Sequence, residues 1–419
     1  MRSVAYAGLW IFVFSLPWEV VGAIGGVAVL VRLTGALALG MALLVVTVSG
    51  RFRRLHPFHV AAFLFVVWAG LNLLFFNSVP SLPSKYFKFI QLGLAVWMMW
   101  ELAPTWPRLM GLLIAYVCGS YVAAVDTLLL YRSASKLLRF TAGNTDPNDL
   151  AMTLALALPM AWYVGMTHRN SVVRWVCRVY VPLGILAIAL TGSRGGMVTT
   201  VLALTIVPLT LGRLTPGKMA AAVGLLIVTG ALAVVYVPEK IVQRLSTTQA
   251  EVADKNFGNR GPIWRAGFHA FERKPIVGYG TSGFVRAIMP EMGARSQLAH
   301  NSYLSVLVEQ GMIGLFLYLM MFLAAYRAIL HLPKVERRFA LILLATLSVA
   351  ILPLTWEDRK PLWFILAALV GLSKAWVGAA GGVAQPLASA PTRPVLGPRA
   401  AGRRWEPLTT PRTGGEAHP

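Results

Sequence analysis

The chain has 419 residues, of which 57% are hydrophobic and only 13% are charged. Soluble proteins carry about 25% charged residues, so this composition excludes an ordinary soluble domain and indicates a membrane protein. The formal net charge of +22 would suggest nucleic acid as the partner of a soluble protein. In a membrane protein, the position of the basic residues relative to the bilayer decides what that charge means.

Apolar runs of membrane-spanning length, broken by Pro, Gly and basic clusters, predict an all-α polytopic membrane protein with about twelve transmembrane helices. The Pro17–Glu19 break, the Gly192–Gly196 break and the short run 339–354 leave this count open by one or two. The spans are expected at about residues 4–17, 20–48, 58–76, 86–101, 108–131, 149–167, 175–191, 196–211, 218–237, 301–330, 339–354 and 360–377.

The spans divide the chain into four parts. A transmembrane body of about nine helices covers residues 1–237, and a large hydrophilic loop follows at 238–299. The last three helices occupy residues 300–377. Residues 378–419 are rich in Pro, Gly and Ala without apolar periodicity, which predicts a disordered cytoplasmic tail.

The basic residues fall into two groups. The first group lies on alternate short loops, which is the positive-inside pattern and places both termini in the cytoplasm. It comprises Arg51, Arg53, Arg54, Arg169, Arg174, Arg178, Arg213, Lys218, Lys334, Arg337 and Arg338. The second group lies on the opposite, outer side and does not follow that rule, so an anionic substrate handled there is the simplest explanation. It comprises Lys85, Lys88, Arg132, Lys136, Arg139, Arg194 and the basic residues of the long loop.

The acidic stretch from Asn144 to Asp149 has the pattern of a helix start. Asp146 can cap the helix, Pro147 suits the first helical position, and Asp149 suits the third. Capping explains this stretch better than a metal site does. Contact between Asp146 and a sugar or acceptor remains an alternative.

Thr191–Gly196 interrupts apolar sequence on the outer side, with Arg194 among small residues. Backbone amides and a guanidinium together can cradle a phosphate. The alternative is a tight turn between helices in which Arg194 reaches the membrane surface.

The long loop contains a predicted amphipathic helix that starts near Asn259–Pro262 and ends at Lys274–Pro275. Helical spacing gives it an apolar stripe (Trp264, Phe268, Phe271) and a polar stripe (Arg265, His269, Glu272). Arg260 and Arg265 are candidate diphosphate ligands, because a guanidinium is permanently charged and binds two oxygens at once. The alternative for both is an ordinary solvated arginine. Further on, Gly278–Gly283 matches G-x-G-x-x-G, but it lies outside any strand–helix unit and predicts only a turn.

His300 stands where the loop meets the tenth predicted span. An imidazole can accept a proton near neutral pH, so His300 is a candidate general base, although a lone histidine can also simply cap a helix. Asn301, Ser305 and Glu309 recur every four residues and therefore share a helix face. A carboxyl in such a helix is either functional or paired with a structural arginine. Gly311 and Gly314 are expected to let a neighbouring helix approach closely.

The stretch His300-Asn301, nine residues, then Gly311-Met312-Ile313-Gly314 resembles the signature of bacterial O-antigen ligases. The wider family includes O-antigen polymerases and protein O-oligosaccharyltransferases. The Pro275–Gly280 stretch is also similar to a Pro-x-x-Gly-x-Gly segment of this family. An arginine in the same part of the loop is functionally important in related ligases, which implies Arg265 here.

The resemblance implies a GT-C type glycosyltransferase of the bacterial inner membrane with a periplasmic active site. It would transfer a glycan from undecaprenyl diphosphate to a sugar hydroxyl of lipid A–core in lipopolysaccharide biosynthesis. Transfer would invert the anomeric configuration and need neither metal nor other cofactor. The catalytic residues would be His300 and Arg265, and Arg194, Arg260 and Arg265 would bind the diphosphate. Asn301, Ser305, Glu309 and Asp146 would contact the acceptor or support the site.

Two alternatives remain at the level of sequence. The chain could be a polymerase or a protein O-oligosaccharyltransferase of the same family, because donor-side motifs do not separate these activities. A polyprenyl-lipid transporter could also use basic outer loops. It would, however, need paired charges throughout the bilayer depth, whereas the polar residues here concentrate on the outer side.

Overall fold

The computed structural model describes residues 1–19, 27–50, 52–75, 82–133, 139–142, 145–211 and 260–383, with scattered residues between 215 and 231. Most of the predicted span 218–237, the loop segment 238–259, the tail beyond 383 and Asn144 lie outside the described residues. Contacts divide the chain into a compact unit, Met1–Gly378, and a second unit, Ala379–Pro419.

Every regular element in the described part of the chain is a helix. The first group is α1 (Arg2–Ser15), a 3-10 turn (Leu16–Trp18), α2 (Val27–Ser49), α3 (Pro57–Phe75), α4 (Leu82–Leu102), α5 (Trp106–Ser133), α6 (Pro147–Thr167), α7 (Ser171–Leu190), α8 (Arg194–Leu204) and α9 (Ile206–Leu211). The second group is α10 (Arg260–Arg273), α11 (Phe284–Met292), a 3-10 turn (Gly293–Arg295), α12 (Ser302–Ile329), α13 (Lys334–Ala350) and α14 (Lys360–Val383).

Five of the described helices are long and apolar enough to cross a membrane: α5, α6, α7, α12 and the Lys360–Gly378 part of α14. Shorter apolar helices occupy Leu33–Ser49, Pro57–Asn72 and Arg194–Thr210. The all-helical class is therefore as expected, whereas the number of twelve spans stays a prediction.

Helix α6 forms the centre of the bundle. All its residues from Leu150 to Gly165 are buried, as expected for a helix that is apolar on every side. It packs against α5, α7, α8 and α13. Asp146 and Pro147, at its start, are thereby held against the rigid core of the molecule.

Helix α12 packs along α3 in the opposite direction. Trp68 donates from Nε1 to the carbonyl oxygen of Gln310 at 3.0 Å, and the Phe65 ring lies 5.7 Å from that of Tyr318. The two helices are therefore antiparallel. The bundle has a His300 end, where α12 begins, and an Arg53 end, where α3 begins.

Helix α10 packs on α11 and α12 through a face that only partly matches the predicted apolar stripe. Its buried residues are Ile263, Ala266, Gly267 and Ala270, whereas Phe268, expected in the apolar stripe, is 53% exposed. A Cβ on Gly267 would lie 3.1 Å from Leu304 Cδ2 and 3.2 Å from the Phe284 ring. Small residues thus bring α10 close to α12. Of the predicted apolar stripe, Trp264 and Phe271 pack at the edge of this contact, whereas Phe268 does not. The predicted end of this helix is confirmed, because α10 stops at Arg273.

Candidate active site

His300 is held by its backbone at the start of α12. The next residue, Asn301, caps the helix by accepting a hydrogen bond from Leu304 N on its side-chain oxygen at 3.0 Å. His300 has φ +44, in the left-handed region that side-chain-bearing residues enter only when the surroundings impose it. Its amide donates to Thr355 Oγ1 at 3.0 Å. The histidine is therefore placed by contacts on both sides and not by the helix alone.

The imidazole of His300 lies in a mixed electrostatic environment. Burial and then the charge of Arg260 lower the pKa of His300, while Asp146 and Asp149 oppose that shift without cancelling it. Among the described residues, the ring has no hydrogen-bond partner. The result is a half-buried, neutral imidazole beside a permanent cation.

The acidic neighbours of His300 come from the start of α6. Asp146 caps this helix, accepting from Asn148 N at 2.8 Å and Asp149 N at 3.3 Å, so the capping prediction is confirmed. Asp149 accepts hydrogen bonds from Trp356 Nε1 at 2.9 Å and from the Arg359 guanidinium at 3.1 Å. Asp149 was expected only as a first-turn residue of α6, and the structure ties it to the loop before α14.

That loop, Leu354–Arg359, organises the site. Ser302 Oγ donates to the carbonyl oxygen of Leu354 at 2.8 Å and accepts from Trp356 N at 2.7 Å. Together with the contacts from Thr355 to His300 and from Trp356 and Arg359 to Asp149, this connects the first turns of α6 and α12. This segment was not predicted from the sequence, although it contains a signal, the polar run Trp356-Glu357-Asp358-Arg359-Lys360 between two apolar helices.

A buried ionic cluster lies beneath this surface. Lys85 Nζ is 2.8 Å from Glu309 Oε2 and 2.7 Å from Glu357 Oε1, and all three residues are buried, with Glu357 fully so. Ser305 Oγ donates to Glu357 Oε1 at 2.7 Å, and Ser282 N donates to Glu309 Oε2 at 2.8 Å. We call Lys85, Glu309 and Glu357 the Lys85 cluster.

The Lys85 cluster changes the interpretation of the polar face of α12. Glu309 has a cation partner, as one alternative expected, but the partner is Lys85 on α4 and not an arginine. Removing one partner of such a buried group is strongly destabilising, since it leaves an uncompensated charge in a low-dielectric interior. The arrangement favours support by Glu309 and Ser305 over direct contact with a substrate.

Helix α12 is interrupted at Gly311, whose φ of 66 and ψ of −169 are not helical. The turn that follows α10 occupies the interruption: Tyr279 N and Gly280 N donate to the carbonyl oxygens of Val308 and Glu309 at 3.0 and 2.8 Å. A Cβ on Gly311 would lie 2.0 Å from the carbonyl oxygen of Ile276. A loop, and not a helix as expected, therefore makes the close approach at this glycine.

The two candidate arginines of α10 occupy different positions. Arg260, the first residue of the helix, is half-buried and interacts with both His300 and Asp146. Arg265 is exposed. Five residues rotate a side chain by about 140° around a helix, so the two guanidiniums point to different sides. The structure therefore brings Arg260 to His300, and it places Arg265 on the outer surface of α10.

The turn before α8 is tightly built, and Arg194 is half-buried at its end. Ser193 caps α8 by accepting from Gly196 N at 3.2 Å, and its own amide donates to Thr191 Oγ1 at 3.2 Å. Arg139 donates to the carbonyl oxygen of Thr191 at 2.8 Å and to Asn148 Oδ1 at 3.1 Å. The amides of Ser193 and Gly196 are thus used internally, which favours the tight turn over a backbone phosphate cradle and leaves the Arg194 side chain as the candidate ligand.

Comparison with known families covers part of this site. Residues 179–319 match the family model described as O-antigen ligase. The chain carries an O-antigen ligase family domain. A search of curated proteins finds no match to the sequence.

The O-antigen ligase domain contains Arg194, Arg260, Arg265, His300 and Glu309. Other site residues lie outside the matched range: Lys85, Asp146 and Asp149 precede it, and the Leu354–Arg359 segment follows it. The family implies an enzyme of the glycosyl-transfer type, and the apolar helices agree with a membrane protein. Within the described parts of the chain, no group of three or more His, Cys, Asp or Glu side chains is arranged as a metal site.

Proposed function

We propose that this protein is an O-antigen ligase. It transfers a glycan from undecaprenyl diphosphate to a sugar hydroxyl of lipid A–core at the periplasmic face of the inner membrane. The observation that carries the proposal is the half-buried neutral His300 beside Arg260, both within the matched family domain, at the start of a helix of membrane-spanning length. This places a proton acceptor next to a permanent positive charge.

The proposed reaction needs both groups. The acceptor hydroxyl oxygen forms a bond to the anomeric carbon of the glycan, and its proton passes to a ring nitrogen of His300. The bond from that carbon to the diphosphate oxygen breaks, and undecaprenyl diphosphate leaves with the electron pair. Direct displacement inverts the anomeric configuration.

The departing diphosphate gains negative charge as this bond breaks, and a fixed guanidinium stabilises that charge. Arg260 is the first candidate because it already interacts with His300 and Asp146. Arg194 and the exposed Arg265 are candidates for contacts further along the donor. In this proposal arginines alone neutralise the leaving group, so transfer should proceed in EDTA.

The test is reconstitution of the purified full chain with an undecaprenyl-diphosphate-linked glycan and three separate acceptors. These are lipid A–core, a Ser- and Thr-containing peptide, and the donor glycan itself. We expect glycan on lipid A–core only. Growth of the donor glycan would instead identify a polymerase, and glycosylated peptide would identify a protein O-oligosaccharyltransferase.

A matched pair of variants assigns the chemistry to the site. His300→Gln should remove most transfer, because glutamine can hydrogen-bond the acceptor but cannot take its proton. His269→Gln is the control, since His269 lies in the same loop and pairs with Glu291 at 3.0 Å. Equal loss in both variants, or near wild-type transfer by His300→Gln, would contradict the proposed base.

A further inference from the structure

A polar pocket lies at the Arg53 end of the bundle. It has a volume of about 400 Å³ and is lined by Arg53, Arg54, His56, Trp100 and Lys374, with Leu55 and Pro57. Lys85, in the cluster near His300, and Trp100 are 15 residues apart on α4, which corresponds to about 22 Å along the helix. This pocket is therefore separate from the candidate active site.

The pocket carries excess positive charge. Arg53, Arg54 and Lys374 contribute three cations, and the neighbouring carboxylate is Glu101, whose Oε1 accepts a hydrogen bond from Arg53 N at 3.1 Å. Burial, Lys374 and His331 lower the pKa of His56 to about 4. The imidazole of His56 is therefore a neutral hydrogen-bonding group at physiological pH, and the charge of the pocket comes from Arg53, Arg54 and Lys374.

One of the three cations is fixed in place. The Arg53 guanidinium lies 3.9 Å from the centre of the Trp100 ring and donates to the carbonyl oxygen of Trp100. Stacking and a carbonyl contact orient a guanidinium with donors left over for an anion. Arg54 and Lys374 are exposed and can adjust to a ligand.

The surroundings of the pocket are apolar. Phe52 and Leu55 are 70% and 56% exposed beside Arg53 and Arg54, and Trp376 and Val377 are 37% and 47% exposed beside Lys374. Exposed aromatic and aliphatic side chains next to cations are typical of the depth at which a bilayer changes from headgroups to acyl chains. A ligand seated here would meet charge and hydrocarbon together.

We propose that the Arg53–Arg54–Lys374 pocket binds a phosphate group, and that its occupant is the headgroup of an anionic phospholipid. Basic pockets between membrane helices bind such headgroups because the phosphate meets fixed cations while the acyl chains stay in the bilayer. Inorganic phosphate shares the recognised chemistry but lacks the acyl chains that would contact Phe52 and Leu55.

The experiment measures lipid binding to the purified full chain in detergent by native mass spectrometry. Phosphatidylglycerol, phosphatidylcholine and inorganic phosphate are titrated separately. The test variant is the double substitution Arg54→Gln and Lys374→Gln, which spares the packed Arg53. Arg169→Gln, an exposed arginine in the loop after α6, is the control.

We expect phosphatidylglycerol to bind more tightly than phosphatidylcholine, and the double variant to bind it about 10- to 30-fold more weakly, with the control unchanged. Inorganic phosphate that binds alone, with the same dependence on Arg54 and Lys374, would keep the phosphate site but overturn the lipid as its occupant. Phosphatidylglycerol binding that is equal in wild type and double variant would overturn the site. None of these outcomes depends on glycan transfer, so the proposed function is tested separately.

Discussion

Residue by residue, the candidate site depends first on the protonation state of His300. A general base must be neutral before it reacts, and both burial and Arg260 lower the pKa of this imidazole. The neutral form is therefore the resting form near pH 7. Asp146 and Asp149 act in the opposite direction, and once a proton has been taken up they stabilise the imidazolium.

The pH dependence of transfer follows from these contributions. Activity should rise through the acidic range as His300 loses its proton and then stay flat near neutrality. Arg260→Gln removes a neighbouring positive charge, so it should raise the pKa of His300 and move the acidic limb to higher pH. The measurement is initial transfer rate against pH for both proteins. An acidic limb at the same pH in Arg260→Gln would show that the limb does not report His300.

The two arginines of α10 give a second prediction. Arg260→Lys keeps the charge but loses the planar pair of donors, and removal of one such stabiliser costs about 10²–10³ in rate. Arg265→Lys should cost less, because Arg265 is exposed. Initial rates at equal protein abundance compare the two variants. The reverse order would return the diphosphate-binding role to Arg265, as family resemblance alone implied.

Among the elements, α4, α12 and the Leu354–Arg359 segment depend on one another through the Lys85 cluster. Lys85→Met should lower the free energy of unfolding by about 3–5 kcal/mol, because two buried carboxylates would lose their cation. Glu357→Gln should be milder, since the pair formed by Lys85 and Glu309 remains. Unfolding of the full chain in detergent, followed by heat or denaturant, measures both.

Lys88→Met is the matched control for Lys85→Met. Lys88 lies three residues further along α4 and pairs with Asp358 at 3.0 Å, but its side chain is 58% exposed. The Asp358 side chain is 14% exposed, but it also lies near Lys85 and Arg359, so loss of the exposed Lys88 should cost much less stability than loss of Lys85. If Lys85→Met and Lys88→Met were equally stable, the cluster would not hold the helices together.

The sequence predicts the helices far better than the contacts between them. The predicted runs 58–76, 149–167 and 301–330 correspond to α3, α6 and α12 within two residues at each end. Apolar length and local signals such as Asp146-Pro147 define these limits. The packing face of α10 was predicted only in part, because the aromatic spacing included the exposed Phe268 and gave no weight to Ala266, Gly267 and Ala270, which pack closely because they are small.

Site residues that belong to a local sequence pattern could be predicted, and those brought together from distant parts of the chain could not. His300 and Asn301 belong to a local pattern with defined spacing. Lys85 and Glu357 are 272 positions apart, and no local pattern connects them. The role of the Leu354–Arg359 segment likewise follows only from its contacts in the structure, those of Thr355 with His300 and of Trp356 with Asp149.

At the scale of the whole molecule, the two ends of the bundle should lie on opposite sides of the membrane. Arg295 is exposed in the loop that precedes His300, and Arg169 is exposed after α6. In a Cys118→Ala, Cys177→Ala background, Arg295→Cys should react with a membrane-impermeant thiol reagent in cells whose outer membrane is permeabilised. Arg169→Cys should react only after the inner membrane is broken. The opposite pattern would invert the proposed orientation.

Lys85 is far from both of its partners along the sequence, and this affects the order of events during biosynthesis. Glu309 follows Lys85 by 224 residues and Glu357 follows it by 272. At about 5–20 residues per second, a ribosome needs roughly 10–50 s to supply the first counter-charge. An unpaired ammonium is costly in a low-dielectric interior, so α4 cannot settle into its final position until α12 has been made. Folding of the protein is therefore completed late, when α12 and the segment before α14 provide the partners of Lys85.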